Sequence, residues 1–414
     1  MSNKFDYVLL GGGTSCGYAS ASIREHDKDG TILIVSADSE PPYDRPPLSK
    51  GFLVNPDLTI PDIHCKDESF YTENNIELKL NTRATSINRN LRLIKLDDDS
   101  EIVYGKLLYA LGASPRHFAI PGGENIILLR TGQDASKIKQ SASNAKSAVV
   151  VGGGYIGAEV SASLRKLGVD VTIIEVGSTI WSKFPSKTIS IAVQNELQSL
   201  GCEIISGESL MKVEDGSVHT DTGRIISADL IIGGIGVNKN TELAQSAGLE
   251  IGEHGVKADD NLRTDDIHIW VAGDVADYFD VTLGKDYAAE HHLHAKWTGL
   301  HAGKCMAGHH EQYKQVPYFF SDVGELSMIL RGFPEHAAQS FVIGDINTPV
   351  ITEVFVYEDE TVAGVIDIRK DYKQQDPISD LFEKLVANRT NASTFISAMT
   401  NPNFDVLKLQ ELID

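Results

Sequence analysis

Along the chain, two patterns of apolar and polar residues follow one another. Up to about residue 311, short and largely apolar runs (Tyr7–Leu10, Thr31–Val35, Ala148–Val151 and Val171–Glu175) alternate with amphipathic stretches such as Ile156, Val160, Leu164 and Leu167, which recur at helical spacing. Strands buried on both faces and alternating with helices produce this pattern, so it predicts parallel sheets of an α/β fold, with the four spaced residues facing a sheet. From about Gln312 the period changes. Ile351–Val356 and Val362–Ile366 read as strands of a hairpin-linked antiparallel sheet in a smaller α+β domain.

Twice an apolar strand runs into a glycine-rich turn that opens a helix: Gly11-Gly12-Gly13-Thr14-Ser15-Cys16 and Gly152-Gly153-Gly154-Tyr155-Ile156-Gly157. Glycine lets the backbone turn sharply and approach a pyrophosphate, and the helix N-terminus directs amide N–H groups at it. One such loop is a weak signal. Two in the same strand, turn and helix context predict two bound dinucleotides, one a flavin and the other a nicotinamide. In the first loop Gly11, Gly13 and Thr14 are the expected contacts, Cys16 stands where a third glycine is usual, and Asp38 is the nearest acid to serve as ribose partner. In the second, Gly152, Gly154 and Gly157 keep the full spacing, with Tyr155, Ile156 and Glu159 on the following helix. The next strand ends in Glu175, a carboxylate placed to receive ribose hydroxyls and to repel a 2′-phosphate, which predicts NADH as the nucleotide.

The loop Pro42-Tyr43-Asp44-Arg45-Pro46-Pro47-Leu48-Ser49-Lys50 presents Arg45, suited to a pyrophosphate, and Lys50, suited to a point charge beside an electron-accepting ring. A solvated turn is the plain alternative. This segment, together with Ala272-Gly273-Asp274, the crossover-like runs Leu107–Gly112 and Leu230–Val237, and the aromatic-Ser-Asp segment Phe320-Ser321-Asp322, resembles the FAD-dependent NADH reductases that serve ferredoxin or rubredoxin, and apoptosis-inducing factor. The resemblance implies a glutathione-reductase-like architecture of two Rossmann-like domains plus a C-terminal domain. It places FAD on 1–113 and 239–311, NAD on 114–238 and an α+β interface domain on 312–414. It further implies that Lys50 approaches flavin N5 and pairs with Glu159, and that Tyr155 shields the flavin face. Asp274 would hold the ribityl chain, His291 would neighbour the flavin or nicotinamide, Phe320 would line the cavity, and Gly236 would belong to the returning crossover.

Composition narrows the function further. With 42% hydrophobic and 23% charged residues the 414-residue chain is long enough for about three domains. No apolar run approaches the ~20 residues of a membrane span, no secretion signal opens the chain, and a cytoplasmic location is expected. Its formal net charge of −21 disfavours nucleic acid. Only four cysteines occur, far apart, so a Cys-x-x-Cys relay is excluded; none lies in the Tyr43 to Lys50 loop, which argues against the cysteine-dependent NADH oxidases and CoA-disulfide reductases. The run Glu290-His291-His292-Leu293-His294 lacks ligand partners at metal spacing, and no metal is expected. What remains is an NADH-dependent FAD reductase passing electrons to a ferredoxin- or rubredoxin-type protein, with a quinone, a small organic molecule or oxygen as other acceptors. An NADH-responsive redox sensor of the apoptosis-inducing-factor kind is the alternative, and a homodimer is compatible with either.

Overall fold

Runs that are apolar on both faces have nowhere to go but the centre of a sheet covered by helices, and the computed structural model, which describes residues 3–346, 350–370 and 377–394, places them there. The chain divides into two units. The first comprises Met1–Pro47, Asp57–Ser114 and Val237–Gln315; the second comprises Leu48–Pro56, Pro115–Gly236 and the described part of Val316–Asp414. Of the expected C-terminal domain, 347–349, 371–376 and 395–414 lie outside the described residues.

In the first unit a seven-stranded sheet has Lys4–Leu10 near its middle, with Ile32–Val35 and Ile76–Lys79 on one side and Glu101–Tyr109 on the other; Ile269–Val271 joins Glu101–Tyr109 in parallel. Val8, Leu9, Leu10 and Ile269 are fully buried. The helices Thr14–His26 and His292–Met306 pack on each other, and Gly299 allows it: a Cβ there would fall 2.4 Å from the Ser15 carbonyl oxygen. That approach brings the helix following the first glycine turn against the helix that follows the histidine run.

In the second unit five parallel strands run in the order Glu203–Ser206, Asp170–Glu175, Ser147–Val151, Leu230–Gly233 and Ile127–Leu128. The helix Tyr155–Lys166 buries Val160 and Leu164 completely, yet Ile156 is 42% and Leu167 41% exposed. The expected four-residue face is therefore only two residues long. Ile156 lies in the first turn beside the glycine loop and Leu167 caps the far end, so the sheet covers only the turns between them. The hairpin pattern of the C-terminal region appears as a five-stranded antiparallel sheet, Tyr318–Val323, Leu326–Gly332, Val362–Lys370, Val350–Val356 and Gln339–Ile343 in spatial order. The helix Pro377–Ala387 covers it with Phe382 and Leu385, both fully buried.

Candidate dinucleotide and redox sites

The first glycine turn lies in the first unit. Gly11 has φ +134°, and a Cβ on it would sit 2.3 Å from the Ala110 carbonyl oxygen, so only glycine can leave the strand in this direction. Gly13 precedes the helix Thr14–His26 without any side-chain cap, which leaves its first amides to a ligand. The Arg45 guanidinium lies over Gly13, Nη1 3.2 Å from where a Cβ would be, and its Nε is buried without an acceptor. An unsatisfied guanidinium N–H above a glycine-lined helix start fits the pyrophosphate of FAD. Asp38 accepts the Tyr43 hydroxyl at 2.7 Å, which leaves other acceptor sites of its carboxylate open. Thr14 donates to Asp44 Oδ1 at 3.3 Å, so Asp44, which sequence reading passed over, orders the loop end.

Gly273 N–H donates to Thr298 Oγ1 at 3.0 Å and Ser15 Oγ to the Ala295 carbonyl at 2.9 Å, which ties the Asp274 segment and the helix after His291 to the helix of the first loop. Asp274 is half-buried, its carbonyl accepts from Lys239, and Lys239 also pairs with Glu290 at 3.4 Å. Lys239 carried no sequence signal, since it lies outside every motif. His291 is the residue before the first helical turn of His292–Met306. Burial pushes His291 down to about 4 and His294 down to about 3, so both imidazoles are neutral near pH 7. His294 is 2% exposed and stacks on Tyr278 with ring centroids 5.6 Å apart. Between its unfolded value of about 6.5 and its folded value, the unfolded chain binds the extra proton, so stability is highest above that window and falls as the pH drops through it. His294→Phe should therefore flatten the acid limb, removing about 1.6 kcal/mol of the loss between pH 6.5 and 5, as read by urea unfolding at the two pH values.

The second glycine turn lies in the second unit and follows the same physics, with Gly152 at φ +104° and a Cβ position 2.3 Å from the Gly234 carbonyl oxygen. Glu175 is 7% exposed. Its carboxylate accepts from Gly153 N–H at 2.6 Å, Gly177 N–H at 2.6 Å and Ser182 Oγ at 3.2 Å. A carboxylate offers about four acceptor sites, so one remains open while the others brace the glycine loop. Gly236 has φ +99° in the bend between Leu230–Gly233 and Val237–Lys239, which interrupts the expected crossover strand.

Lys50 and Glu159, far apart in sequence, meet in the second unit. Lys50 Nζ is 3.2 Å from Glu159 Oε1, and Glu159 is 6% exposed. The same carboxylate accepts from Ser49 Oγ at 2.5 Å and Ser321 Oγ at 2.7 Å. Ser49 is held in turn, its carbonyl accepting from Ser163 Oγ at 2.8 Å. Lys50 has Asp322 Oδ2 at 3.4 Å and lies over the Phe320 ring, 4.9 Å from its centroid. The Pro46–Ser49 turn and the strand Tyr318–Val323 thus bring a cation, a buried carboxylate and an aromatic face together. Ser49, Ser321 and Asp322 were missed as site residues, although all three sit inside the motifs that carried the resemblance. Tyr155 is 38% exposed and its ring contacts Phe319 at 4.6 Å and Trp181 at 5.0 Å.

Two glycine-lined helix starts, one in each unit, and a lysine–carboxylate pair beside an aromatic ring define a two-dinucleotide oxidoreductase. The profile of the pyridine nucleotide-disulphide oxidoreductase family matches residues 5–299, and the chain belongs to that family. It is similar to the rubredoxin–NAD(+) reductase of Pseudomonas putida, 32% identical over 85% of this chain and 93% of that one. The ferredoxin–NAD(+) reductase component of the anthranilate 1,2-dioxygenase system of Burkholderia cepacia is 30% identical over 82% and 84%. Among solved structures, the ferredoxin reductase for the CYP199A2 system from Rhodopseudomonas palustris superposes with a TM-score of 0.89 at 25% identity, covering 98% of this chain and 99% of that one. FAD and NAD(H) are accordingly its cofactors, and it is an oxidoreductase. The disulphide of the family name has no counterpart here, since all four cysteines are free and buried. Among the described residues no helix is long and apolar enough to cross a membrane, and no cluster of metal-ligating side chains occurs.

Proposed function

We propose that this protein is an NADH-dependent reductase that passes electrons from bound FAD to a ferredoxin- or rubredoxin-type carrier. The observation that carries this reading is the Lys50–Glu159 pair, with Glu159 further held by Ser49 and Ser321. FAD supplies the redox chemistry, accepting a hydride from NADH and releasing electrons. The protein binds, orients and excludes water. Segments 1–113 and 239–311 hold FAD, with Gly11, Gly13, Thr14 and Arg45 at the pyrophosphate and Asp274 and His291 toward the ribityl and ring. Segment 114–238 holds NADH, with Gly152, Gly154, Ile156, Gly157 and Gly236 at the loop and Glu175 at the ribose. Lys50 would offer a positive charge to the FAD ring, Glu159 keeps the lysine aimed, and Tyr155 and Phe320 would border the nicotinamide. The names of the relatives support a protein carrier as acceptor. The free cysteines agree with a cytoplasmic setting.

Anaerobic mixing with NADH and NADPH, followed by a panel of carriers, quinones and oxygen, tests the whole reading. NADH should bleach the flavin fast, NADPH slowly, and an iron–sulfur carrier should reoxidise it faster than oxygen. A quinone that outpaces every carrier would remove the acceptor assignment. Glu175→Ser should raise the NADPH to NADH ratio of kcat/KM by about ten-fold, because one full charge facing the 2′-phosphate is gone. It should also weaken NADH, because Gly153 and Gly177 lose their acceptor. An unchanged ratio would take Glu175 out of the ribose site.

A further inference from the structure

The turn after Glu175 carries a residue whose conformation the glycine loop by itself does not require. Trp181 has φ +55°, a left-handed backbone that a bulky side chain adopts only when its surroundings impose it. Its N–H donates to the Gly153 carbonyl at 2.8 Å, and its own carbonyl accepts from Ser190 Oγ at 3.1 Å. The strained residue is therefore tied to the middle glycine of the second loop on one side and to the helix Lys187–Ser199 on the other. Its side chain is 3% exposed, and the indole Nε1–H is buried without an acceptor. A buried donor left unpaired is destabilising, and a water, an ion or a ligand can complete the pairing.

The surroundings of that indole show how a ligand would reach it. Trp181 packs edge-on against Tyr155, with centroids 5.0 Å apart and planes at 70°, and lies 5.2 Å from the Phe184 ring. Phe184 is 8% exposed, whereas Tyr155 is 38% exposed. Tyr155 is also the first residue of the helix whose N-terminal amides end at the loop.

We propose that Trp181 is a binding residue for the nicotinamide dinucleotide: as the ligand seats on Gly152–Gly157, the Tyr155 ring turns out and an oxygen of the ribose–phosphate stretch accepts from Trp181 Nε1. The inference rests on the second loop being the NAD(H) site. The left-handed turn fits this role, because it sets the indole beside the loop before the ligand arrives, so little ordering is left to the binding step.

Trp181→Phe keeps an aromatic ring and removes only the donor and part of its bulk. In the FAD-loaded protein, calorimetric titration should show NAD+ bound about ten-fold more weakly, with FAD content and melting temperature as in the unsubstituted protein. The change in intrinsic fluorescence on adding NAD+ should vanish, although Trp270 and Trp297 remain. Trp181→His, which keeps a ring N–H, should regain part of the affinity. Unchanged NAD+ affinity in Trp181→Phe, or a fluorescence response that survives it, overturns this inference and leaves the NAD(H) reading standing. Failure of the unsubstituted protein to bind NAD+ overturns that reading as well. Should Trp181→Phe not fold, the indole N–H resonance of Trp181 in the unsubstituted protein decides: it must shift on NAD+ addition, and one that stays in place overturns the proposal.

Discussion

Glu159→Ala should lower conformational stability by about 2–3 kcal/mol and slow flavin reduction by NADH about 100-fold. Three donors converge on this carboxylate: Ser49, Lys50 and Ser321. Removing it leaves two hydroxyls at a cavity and the Lys50 ammonium with Asp322 at 3.4 Å, whose side chain is 44% exposed and correspondingly screened. The stability effect falls below the usual cost of breaking a buried pair because the Lys50 side chain is itself 19% exposed. Glu159→Gln keeps one acceptor oxygen, for Lys50 and Ser321, and turns the other into an NH2 that the Ser49 hydroxyl can accept from, so it should cost about 1 kcal/mol, yet it should slow reduction nearly as much, since the charge that aims Lys50 is gone. Lys50→Met should slow reduction as well, and the double variant should fall well short of the summed effects, because both changes remove one interaction. Urea unfolding and anaerobic stopped-flow reduction read the two quantities separately. A Glu159→Gln variant reduced at the unsubstituted rate would take the pair out of the redox step.

Gly157→Ala should abolish NADH binding and destabilise the second unit by more than 3 kcal/mol, an estimate at the upper end for overpacking. The added Cβ would lie 2.0 Å from the Gly152 carbonyl oxygen, so helix and loop must part. The neighbour cannot rotate away, because it is backbone. Gly168→Ala is the control: at φ +83° it is strained, but nothing lies within 4 Å of the new methyl. That change should cost about 1 kcal/mol and leave NADH affinity unaltered. Denaturant midpoints and NADH titrations of the two variants should therefore separate clearly. Equal losses would mean that backbone conformation, and not the close approach of helix to loop, governs the site.

The glycine turns were legible because their chemistry is local. A strand, a turn with positive φ and a helix start lie within a few consecutive residues, and no distant partner is needed to recognise them. The Lys50–Glu159 pair was legible only through resemblance, since nothing in the spacing of the two residues says that they meet. Ser321 and Asp322 were read as part of a motif and not as partners of that pair, because the strand Tyr318–Val323 reaches Glu159 only after the second unit has folded. The exposed Ile156 and Leu167 failed for a related reason: helical period shows which face is apolar but not how far along the helix the sheet extends.

The order of apolar runs by itself determined that parallel sheets would be followed by an antiparallel one, and the repeated glycine turns determined that two dinucleotides would bind, because both follow from backbone sterics and periodicity within short windows. Tertiary structure alone decided which acceptor sites of Glu175 stay open, that the Asp38 carboxylate takes the Tyr43 hydroxyl, and that Trp181 stands strained at the second loop with its indole N–H unpaired. Hydrogen-bond saturation and burial are sums over residues distant in the chain, and only folding brings those residues within bonding distance.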